Sequence, residues 1–260
     1  PYQWPTIGKE VSHIEEAAME EVKAFFYKHY APNNAILVVA GDVEIDEIKA
    51  LSEKWFGPIE RREVAVRNLP KEPRQEKART LKVERDVPVD VIYKAFHICA
   101  RTDNDFYATD LMSDILSRGN SSRLYNRLVK EQKLFSDIDA FIGGELDESL
   151  FYFAGKLAPG VNMQQAEAGI DVEIEKLRLE LVGDQELRKV KNKAESAHMF
   201  SELNVLNKAM NLATSELMGD ANLANKQIEF YEAVTAENIR AIAQDVFRKE
   251  NSNTLYYHAK

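Results

Sequence analysis

Apolar residues in the first sixty positions follow a helical period, then a strand-like run, then a helical period again. Residues 19–30 carry apolar side chains at i, i+3, i+4 and i+8 from Val22, which predicts an amphipathic helix. Residues 35–40 are a nearly unbroken apolar run, typical of a strand at the centre of a sheet. A second helix is predicted over 44–56, ending at Gly57 with a left-handed glycine cap.

After residue 80 the pattern predicts a sheet accompanied by helices, which is an α+β fold. The second of the predicted helices carries Ser121 or Ser122 as its cap. In chain order, the expected elements are strands at 80–85 and 89–100, helices at 105–117 and 123–132, a hairpin of strands 136–142 and 149–157 turning at Gly143-Gly144, a helical region over 164–247 broken at Gly183-Asp184 and Gly219-Asp220, and a strand at 253–258.

Residues 61–79 differ from their surroundings in composition. Ten of these nineteen residues are charged, two are proline, and no period persists. We expect an interdomain linker here, running along the surface.

Two helix–strand units of the chain resemble each other. Residues 21–30, followed by Asn-Asn and the apolar run 36–40, resemble residues 237–247, followed by Ser-Asn and 254–258. We therefore expect a tandem duplicated domain, with the closing portion of the first copy in residues 1–60 and a complete second copy in residues 80–260. A chance match of two short units is the alternative.

Composition excludes some classes of function. The 34 Lys and Arg residues against 43 Asp and Glu give a net charge of −9, which argues against a nucleic-acid partner. No apolar run reaches the length of a membrane span. Cys99 is the only cysteine, so an intrachain disulfide is impossible, and a cytoplasmic or periplasmic location stays open. Since Pro1 is not a methionine, we expect the chain to be a piece of a longer protein.

The histidines do not have the spacing of a zinc peptidase. Such a site needs two imidazoles three or four residues apart on one helix, a third ligand and a general base. No two of the five histidines lie within four positions; they are His13, His29, His97, His198 and His258. His13 is followed by Glu16, but Ala17 stands where a second histidine would be needed, so we expect His13 to be solvated or a cap. We expect no metal site within these residues.

Three further groups of polar residues could bind a metal or take part in catalysis, but we expect each to have a structural role or to face water. His97 and Cys99 share one strand face and could chelate a metal or activate a thiolate, but the neighbouring Val91, Tyr93 and Ala95 favour burial of that face. Paired carboxylates can hold a cation. We nevertheless expect the acidic residues of the hairpin to face water; they are Asp137, Asp139, Glu145, Asp147 and Glu148. A basic stripe expected to face water consists of Arg123, Arg127 and Lys130.

Several motifs together resemble the pitrilysin/insulinase-type zinc metallopeptidases, which include the mitochondrial processing peptidases. Residues 1–8 (Pro-Tyr-Gln-Trp-Pro-Thr-Ile-Gly) and 30–42 (Tyr-Ala-Pro-Asn-Asn, an apolar run, Gly-Asp) are similar to the end of the first domain of that family. Residues 115–125 (Ile-Leu-Ser-Arg-Gly-Asn-Ser-Ser-Arg-Leu-Tyr) and 128–134 are similar to its Leu-x-x-Gly-x-Ser-Ser-Arg-Leu-Tyr and Leu-Arg-x-x-x-Gly-Leu segments.

The resemblance implies tandem α+β domains that form a peptide-hydrolysing chamber, with zinc held by a His-x-x-Glu-His helix upstream of Pro1. Active members also place an Arg, and a Tyr seven residues later, in the catalytic cleft, where they stabilise the oxyanion. Carried over residue by residue, those positions are Val129 and Ser136 here. Neither side chain can replace its family counterpart, so we expect no catalytic residue and no bound zinc in this chain.

Three functions follow as hypotheses. The parent protein is expected to be a zinc endopeptidase that works with a homologous subunit supplying the Arg/Tyr pair, and this chain alone is expected to be inactive. The alternatives are a non-catalytic scaffold similar to the core subunits of respiratory complexes, or a peptide-binding module. A sheet left partly unpaired in residues 1–60 also predicts self-association.

Overall fold

The computed structural model describes residues 8–64 and 68–260, which form two compact units. Unit 1 comprises the chain up to Glu72 together with Phe200–Ala224, and unit 2 comprises Pro73–Met199 and Asn225–Lys260. Within the part of the chain so described, no helix is long and apolar enough to cross a membrane.

Unit 2 is built on a five-stranded mixed sheet in the order β1-β5-β2-β4-β3. β1 pairs parallel to β5, whereas the other three pairings are antiparallel. The hairpin of β3 and β4 is the one predicted from sequence. The strands are β1 (Arg79–Arg85), β2 (Val91–Ile98), β3 (Phe135–Ile142), β4 (Ser149–Leu157) and β5 (Ser252–Ala259).

Helices of unit 2 pack on the sheet and enclose its hydrophobic core. α4 contacts β3, while α5 and α9 contact β2. Fully buried side chains of the core include Ile92, Leu111, Phe135, Phe151, Phe153, Ile170 and Ile239. The helices named are α4 (Phe106–Ser117), α5 (Met163–Leu179) and α9 (Ala236–Val246). The predicted α+β class, a mixed sheet packed with helices, is confirmed.

The remaining helices divide between the units. Unit 1 contains α1 (Ser12–Glu15), α2 (Met19–His29), a 3-10 turn (Pro32–Asn34), α3 (Ile45–Phe56) and α7 (Val205–Leu217). α6 (Asp184–Ser201) and α8 (Leu223–Ala233) lie mainly in unit 2, as do a π-helix (Tyr125–Glu131) and a 3-10 turn (Lys249–Asn251). Besides the predicted breaks, the helical region is interrupted at 202–204 and 234–235.

The predicted strand at residues 35–40 is wrong. These residues form no strand, and Ile36, Leu37 and Val39 are exposed by 42–58%. A strand exists only where a neighbouring strand accepts and donates its backbone hydrogen bonds. All five strands of the described residues belong to unit 2. An apolar run can therefore be strand-like in sequence and unpaired in the fold.

Two predicted caps are also wrong. Gly57 has φ −57°, so the residue after α3 is right-handed rather than left-handed. Neither Ser121 nor Ser122 caps the helix that follows. The Ser121 hydroxyl accepts a hydrogen bond from Lys189 Nζ, and the buried Ser122 Oγ has no hydrogen-bond partner. This helix also continues as the π-helix rather than as an α-helix.

The helix and turn of the internal repeat recur in three dimensions. α2 and α9 each contain eleven residues, and 217 positions separate their starts as well as their ends. A 3-10 turn follows each helix at the same offset. In each turn an asparagine Nδ2 donates 2.8 Å to the last helical carbonyl: Asn34 to His29, and Asn251 to Val246. The Asn of the Pro-Asn-Asn motif therefore has a structural role, which is to close the turn.

Candidate functional site

The segment from the π-helix to the start of β3 is the candidate site, because it carries positions 129 and 136. The π-helix closes on the next turn through the Leu134 amide, which donates 2.8 Å to the Leu128 carbonyl. The segment packs close to α5 at Gly169, where an added Cβ would lie 3.2 Å from Leu128 Cδ2 on the π-helix and 2.7 Å from Leu134 Cδ1 just after it. π-Helices are rare and occur frequently at functional sites. The backbone of this segment is therefore held tightly in an unusual form.

The side chains at the two family positions serve packing and backbone bonding. Val129 is partly buried against the hydrophobic core. The Ser136 hydroxyl donates 3.2 Å to the Lys156 carbonyl on β4. Val129 offers no polar atom, and the Ser136 hydroxyl already has a partner within the sheet. The prediction that they carry no catalytic role stays a prediction.

The basic stripe near this site faces water only in part. Arg123 donates 3.0 Å and 2.6 Å to the two carboxylate oxygens of Glu186, and its side chain is only 18% exposed. Arg127 pairs with Glu131 at 2.8 Å in an exposed position. Lys130 is exposed. The prediction is therefore wrong for Arg123, whose Glu186 partner lies 63 residues away in sequence and could not be identified from a local pattern.

The histidines do not converge on one another. His13 is exposed, and the Lys9 amide approaches its Nδ1 at 3.5 Å. His29 packs its ring against Phe25 with 4.5 Å between centroids. His258 Nδ1 lies 3.1 Å from Asp90, a pairing that sequence could not indicate. Among the residues that the structure describes, no three His, Cys, Asp or Glu side chains form a group that could hold a metal ion.

The prediction that His97 shares a buried strand face is wrong. In β2 the buried side chains are Ile92, Lys94, Phe96 and Ile98, whereas His97 is half-buried on the other face and Tyr93 is 45% exposed. Cys99 lies 3.8 Å from the Thr109 hydroxyl. Burial raises the pKa of the Cys99 thiol, opposed by the Thr109 hydrogen bond. A raised pKa is the opposite of thiolate activation.

The acidic residues of the hairpin have solvent and local partners. Asp137 and Asp139 are exposed, as predicted, and Asp139 accepts a 3.1 Å hydrogen bond from Ser117. Glu145 accepts a hydrogen bond from the Ser149 hydroxyl across the turn. These contacts order the hairpin locally.

A partly buried ionic network connects the sheet to α5 and had no signal in the sequence. Lys94 is 5% exposed, and its Nζ lies 3.1 Å from Glu167 and 2.5 Å from Asp171 on α5. The other Glu167 oxygen accepts a 2.5 Å hydrogen bond from Tyr256. Burial and the bond to Glu167 raise the Tyr256 pKa to about 12. The partners are 73 to 89 residues apart, so only the folded chain brings them together. The network fixes α5 on β2 and β5.

Comparison with known proteins identifies the family. The model of the peptidase M16 inactive domain matches residues 17–194. The chain belongs to the peptidase M16 family. The match includes the π-helix and the hairpin, and it confirms the resemblance drawn from the sequence motifs. Within the family, the matching model is the one for the inactive domain.

Relatives extend the match along nearly the whole chain. Zinc protease PqqE of Helicobacter pylori is 28% identical over 261 residues, which cover 98% of this chain and 58% of that protein. The crystal structure of a protease from H. pylori has a TM-score of 0.86 at 25% identity, covering 96% of this chain and 61% of that one. A peptidase M16 inactive domain from Pseudomonas fluorescens shares the fold, with a TM-score of 0.82 at 17% identity, covering 96% of this chain and 59% of that one. The M16 chain thus spans about three fifths of the length of these relatives.

Proposed function

We propose that the M16 chain is the non-catalytic part of a zinc-dependent endopeptidase that cleaves unfolded peptides in a chamber formed by two domains. The described residues offer no set of zinc ligands. Zinc would therefore be held by a part of the whole protein that lies outside this chain. The contribution of this chain would be to complete the first domain and to supply the second.

The repeated helix and turn carry the proposal. On α9, Ile239, Ala243 and Val246 are buried against the sheet of unit 2. Their counterparts on α2, 217 positions earlier, are Val22, Phe26 and His29, and Val22 and Phe26 are exposed by 53% and 49%. An amphipathic helix gains its stability from covering an apolar face. α2 therefore has the pattern of a helix made to pack on a sheet of its own.

The same offset indicates where that sheet would come from. β5 lies between β1 and β2, which together span residues 79 to 98. Subtracting 217 from these numbers puts their first-copy counterparts about 120–140 residues before Pro1. We assign residues 1–60 to the end of that first, zinc-bearing domain, 61–79 to a linker and 80–260 to the second domain. Of the second domain so defined, residues 200–224 fall within compact unit 1 rather than unit 2.

The proposed catalytic step needs a donor for the oxyanion from another subunit. Positions 129 and 136 of this chain hold a valine on the core and a serine bonded to the sheet. A homologous subunit with Arg and Tyr there would supply the missing charge stabilisation. The partner of this protein is therefore proposed to be such a subunit, and its substrate an unfolded peptide.

Peptide cleavage by the whole protein tests the proposal. A quenched-fluorescent peptide should be cleaved by the whole protein together with its homologous subunit, and a zinc chelator should stop the reaction. The M16 chain alone, with zinc added, should give no cleavage. Cleavage by this chain alone would contradict the proposal.

A structural scaffold is the second candidate function. The roles of Val129 and Ser136 in packing and sheet bonding favour it. Two results together would support the scaffold over the peptidase. The whole protein with its subunit would not cleave peptides, and a multi-subunit assembly would fail to form in cells that lack the protein.

A further inference from the structure

A groove opens on unit 2 beside the outermost strand of its sheet, on the face that carries Tyr93. Its volume is about 390 Å³. β1 forms the rim, since it is first in the strand order and pairs with β5 alone. The side chains that line the groove and matter here are Arg79, Leu81, Tyr93, Ala95, Tyr152 and Leu255.

The groove is apolar and accessible. Leu81 on β1 is 60% exposed and Tyr93 on β2 is 45% exposed. The register puts Leu81 opposite Leu255, and Leu255 opposite Tyr93, so the three side chains form a continuous row across β1, β5 and β2. Large apolar side chains in contact with one another and with water favour an apolar ligand group.

The rim can also bind a backbone. Six of the seven residues of β1 are exposed, and one edge of the strand lacks a neighbouring strand in the described sheet. Such an edge presents unpaired N–H and C=O groups to an added strand. An extended peptide on this edge would direct alternate side chains towards the groove.

Charge narrows the choice of ligand. β1 carries Arg79, Lys82 and Arg85 against Glu84, so the strand has a net charge of +2 in a chain of net charge −9. A second copy of β1 would bring like charges together and is disfavoured. An acidic strand would be attracted.

We propose that the free edge of β1 binds an extended acidic peptide by strand addition, with an apolar side chain of the peptide packed against Leu81, which extends the apolar row of Leu81, Leu255 and Tyr93 by one strand. The surface goes beyond the proposed function, because binding here requires neither zinc nor cleavage. Failure of the peptidase proposal would leave this one intact, and the reverse also holds.

Fluorescence anisotropy on the whole 260-residue chain tests the surface. The probe is a labelled eight-residue peptide in which Val and Phe alternate with Glu. Leu81→Asp should weaken binding about tenfold or more, the equivalent of losing one buried leucine contact. The same change at Leu179, which is 65% exposed on α5, should leave the affinity unchanged. Leu81→Ala, a milder change, should weaken binding less than Leu81→Asp, and the unfolding midpoint of each variant checks that it folds.

Modified peptides separate strand addition from contact with the groove alone. N-methylation at alternate residues removes main-chain donors and should abolish binding. Replacing Glu by Lys should weaken it, and Arg79→Glu should reduce its salt dependence. Equal binding of the methylated peptide, no saturable binding, or an equal effect of Leu81→Asp and Leu179→Asp would overturn the proposal. So would a dimer in sedimentation that Leu81→Asp dissociates, because β1 would then be occupied by a second copy.

Discussion

Lys133 has φ 53°, the left-handed region that glycine enters with little strain. It follows the π-helix, at the point where the family motif has glycine. A side chain in this conformation costs about 1–2 kcal/mol, partly offset by the greater entropy that glycine loses on folding. Lys133 therefore replaces the glycine of the family motif, and it is the only non-glycine residue with positive φ among the described residues.

Lys133→Gly should therefore stabilise the protein by about 0.5–1 kcal/mol. Urea unfolding followed by circular dichroism measures the change. The control is Lys130→Gly on the π-helix, which should lower stability by about 1 kcal/mol because glycine is a poor helix former. Equal destabilisation by both variants would contradict the role given to φ.

Cys99 should react slowly with iodoacetamide. Burial raises its thiol pKa, so less thiolate is present at a given pH than in the unfolded chain. The folded state therefore loses stability relative to the unfolded state as the pH rises through the ordinary thiol range, near 8.5. Alkylation between pH 7 and 10, followed by mass spectrometry with and without denaturant, measures the difference. A folded thiol that reacts as fast as the denatured one would contradict it.

At the scale of elements, the local pattern predicted most helices and all five strands of unit 2, but it also predicted one strand, at residues 35–40, that the described structure does not contain. The amphipathic faces of α2, α3 and α9 indicated their positions to within two residues, because a helix bonds within its own segment. Residues 35–40 have a strand-like pattern without strand pairing, because a strand depends on distant partners. For the same reason the ion pair of Lys94 and Glu167 could not be predicted, because it depends on the packing of α5 on β2. The motif residues Val129 and Ser136 could be located from sequence, whereas their contacts could not.

The two equivalent asparagines offer a matched pair of variants. Asn251 is 2% exposed, and its Nδ2 donates to the carbonyls of Val246 and His97. Asn251→Ala should cost about 2–3 kcal/mol, because two acceptors lose their donor in a buried place. Asn34 makes the equivalent bond to His29 at an exposed turn, so Asn34→Ala should cost less than about 1 kcal/mol.

Urea unfolding of both variants, followed by circular dichroism for Asn251→Ala and by tryptophan fluorescence for Asn34→Ala, gives the comparison. A larger loss for the exposed asparagine than for the buried one would show that burial does not govern the cost.

At the scale of the whole molecule, the two units differ in how much apolar surface they bury. Among the described residues of unit 1, Ala31 is the only buried apolar residue. The core of unit 2 contains buried residues from β2, β3 and β4 and from most of its helices. Since burial of apolar area is the main favourable term in folding, unit 1 should be the less stable.

Unfolding should therefore occur in two steps. Trp55 is 65% exposed on α3 in unit 1, and unit 2 contains no tryptophan. In a Trp4→Phe variant, Trp55 fluorescence should change at lower urea than far-ultraviolet circular dichroism does. Coincident transitions would mean that the units unfold as one.

Self-association should come from unit 1. Phe25 and Trp55 are exposed by 59% and 65%, within a larger set of apolar side chains on α2 and α3. Sedimentation velocity should show association that rises with concentration and falls when both residues become glutamate. Val172→Glu on α5, where the side chain is 50% exposed, is the control. A strict monomer at all concentrations would contradict this expectation.

Residues 200–224 belong to unit 1 although unit 2 precedes and follows them in the chain. The backbone therefore passes from one unit to the other three times, after Glu72, after Met199 and after Ala224. During synthesis, unit 1 is complete only when residue 224 has been added to the chain. By then most of unit 2 has already left the ribosome. A single protease cut therefore cannot release either unit whole. A gene truncated after Glu72 or after Met199 would encode unit 1 without α7.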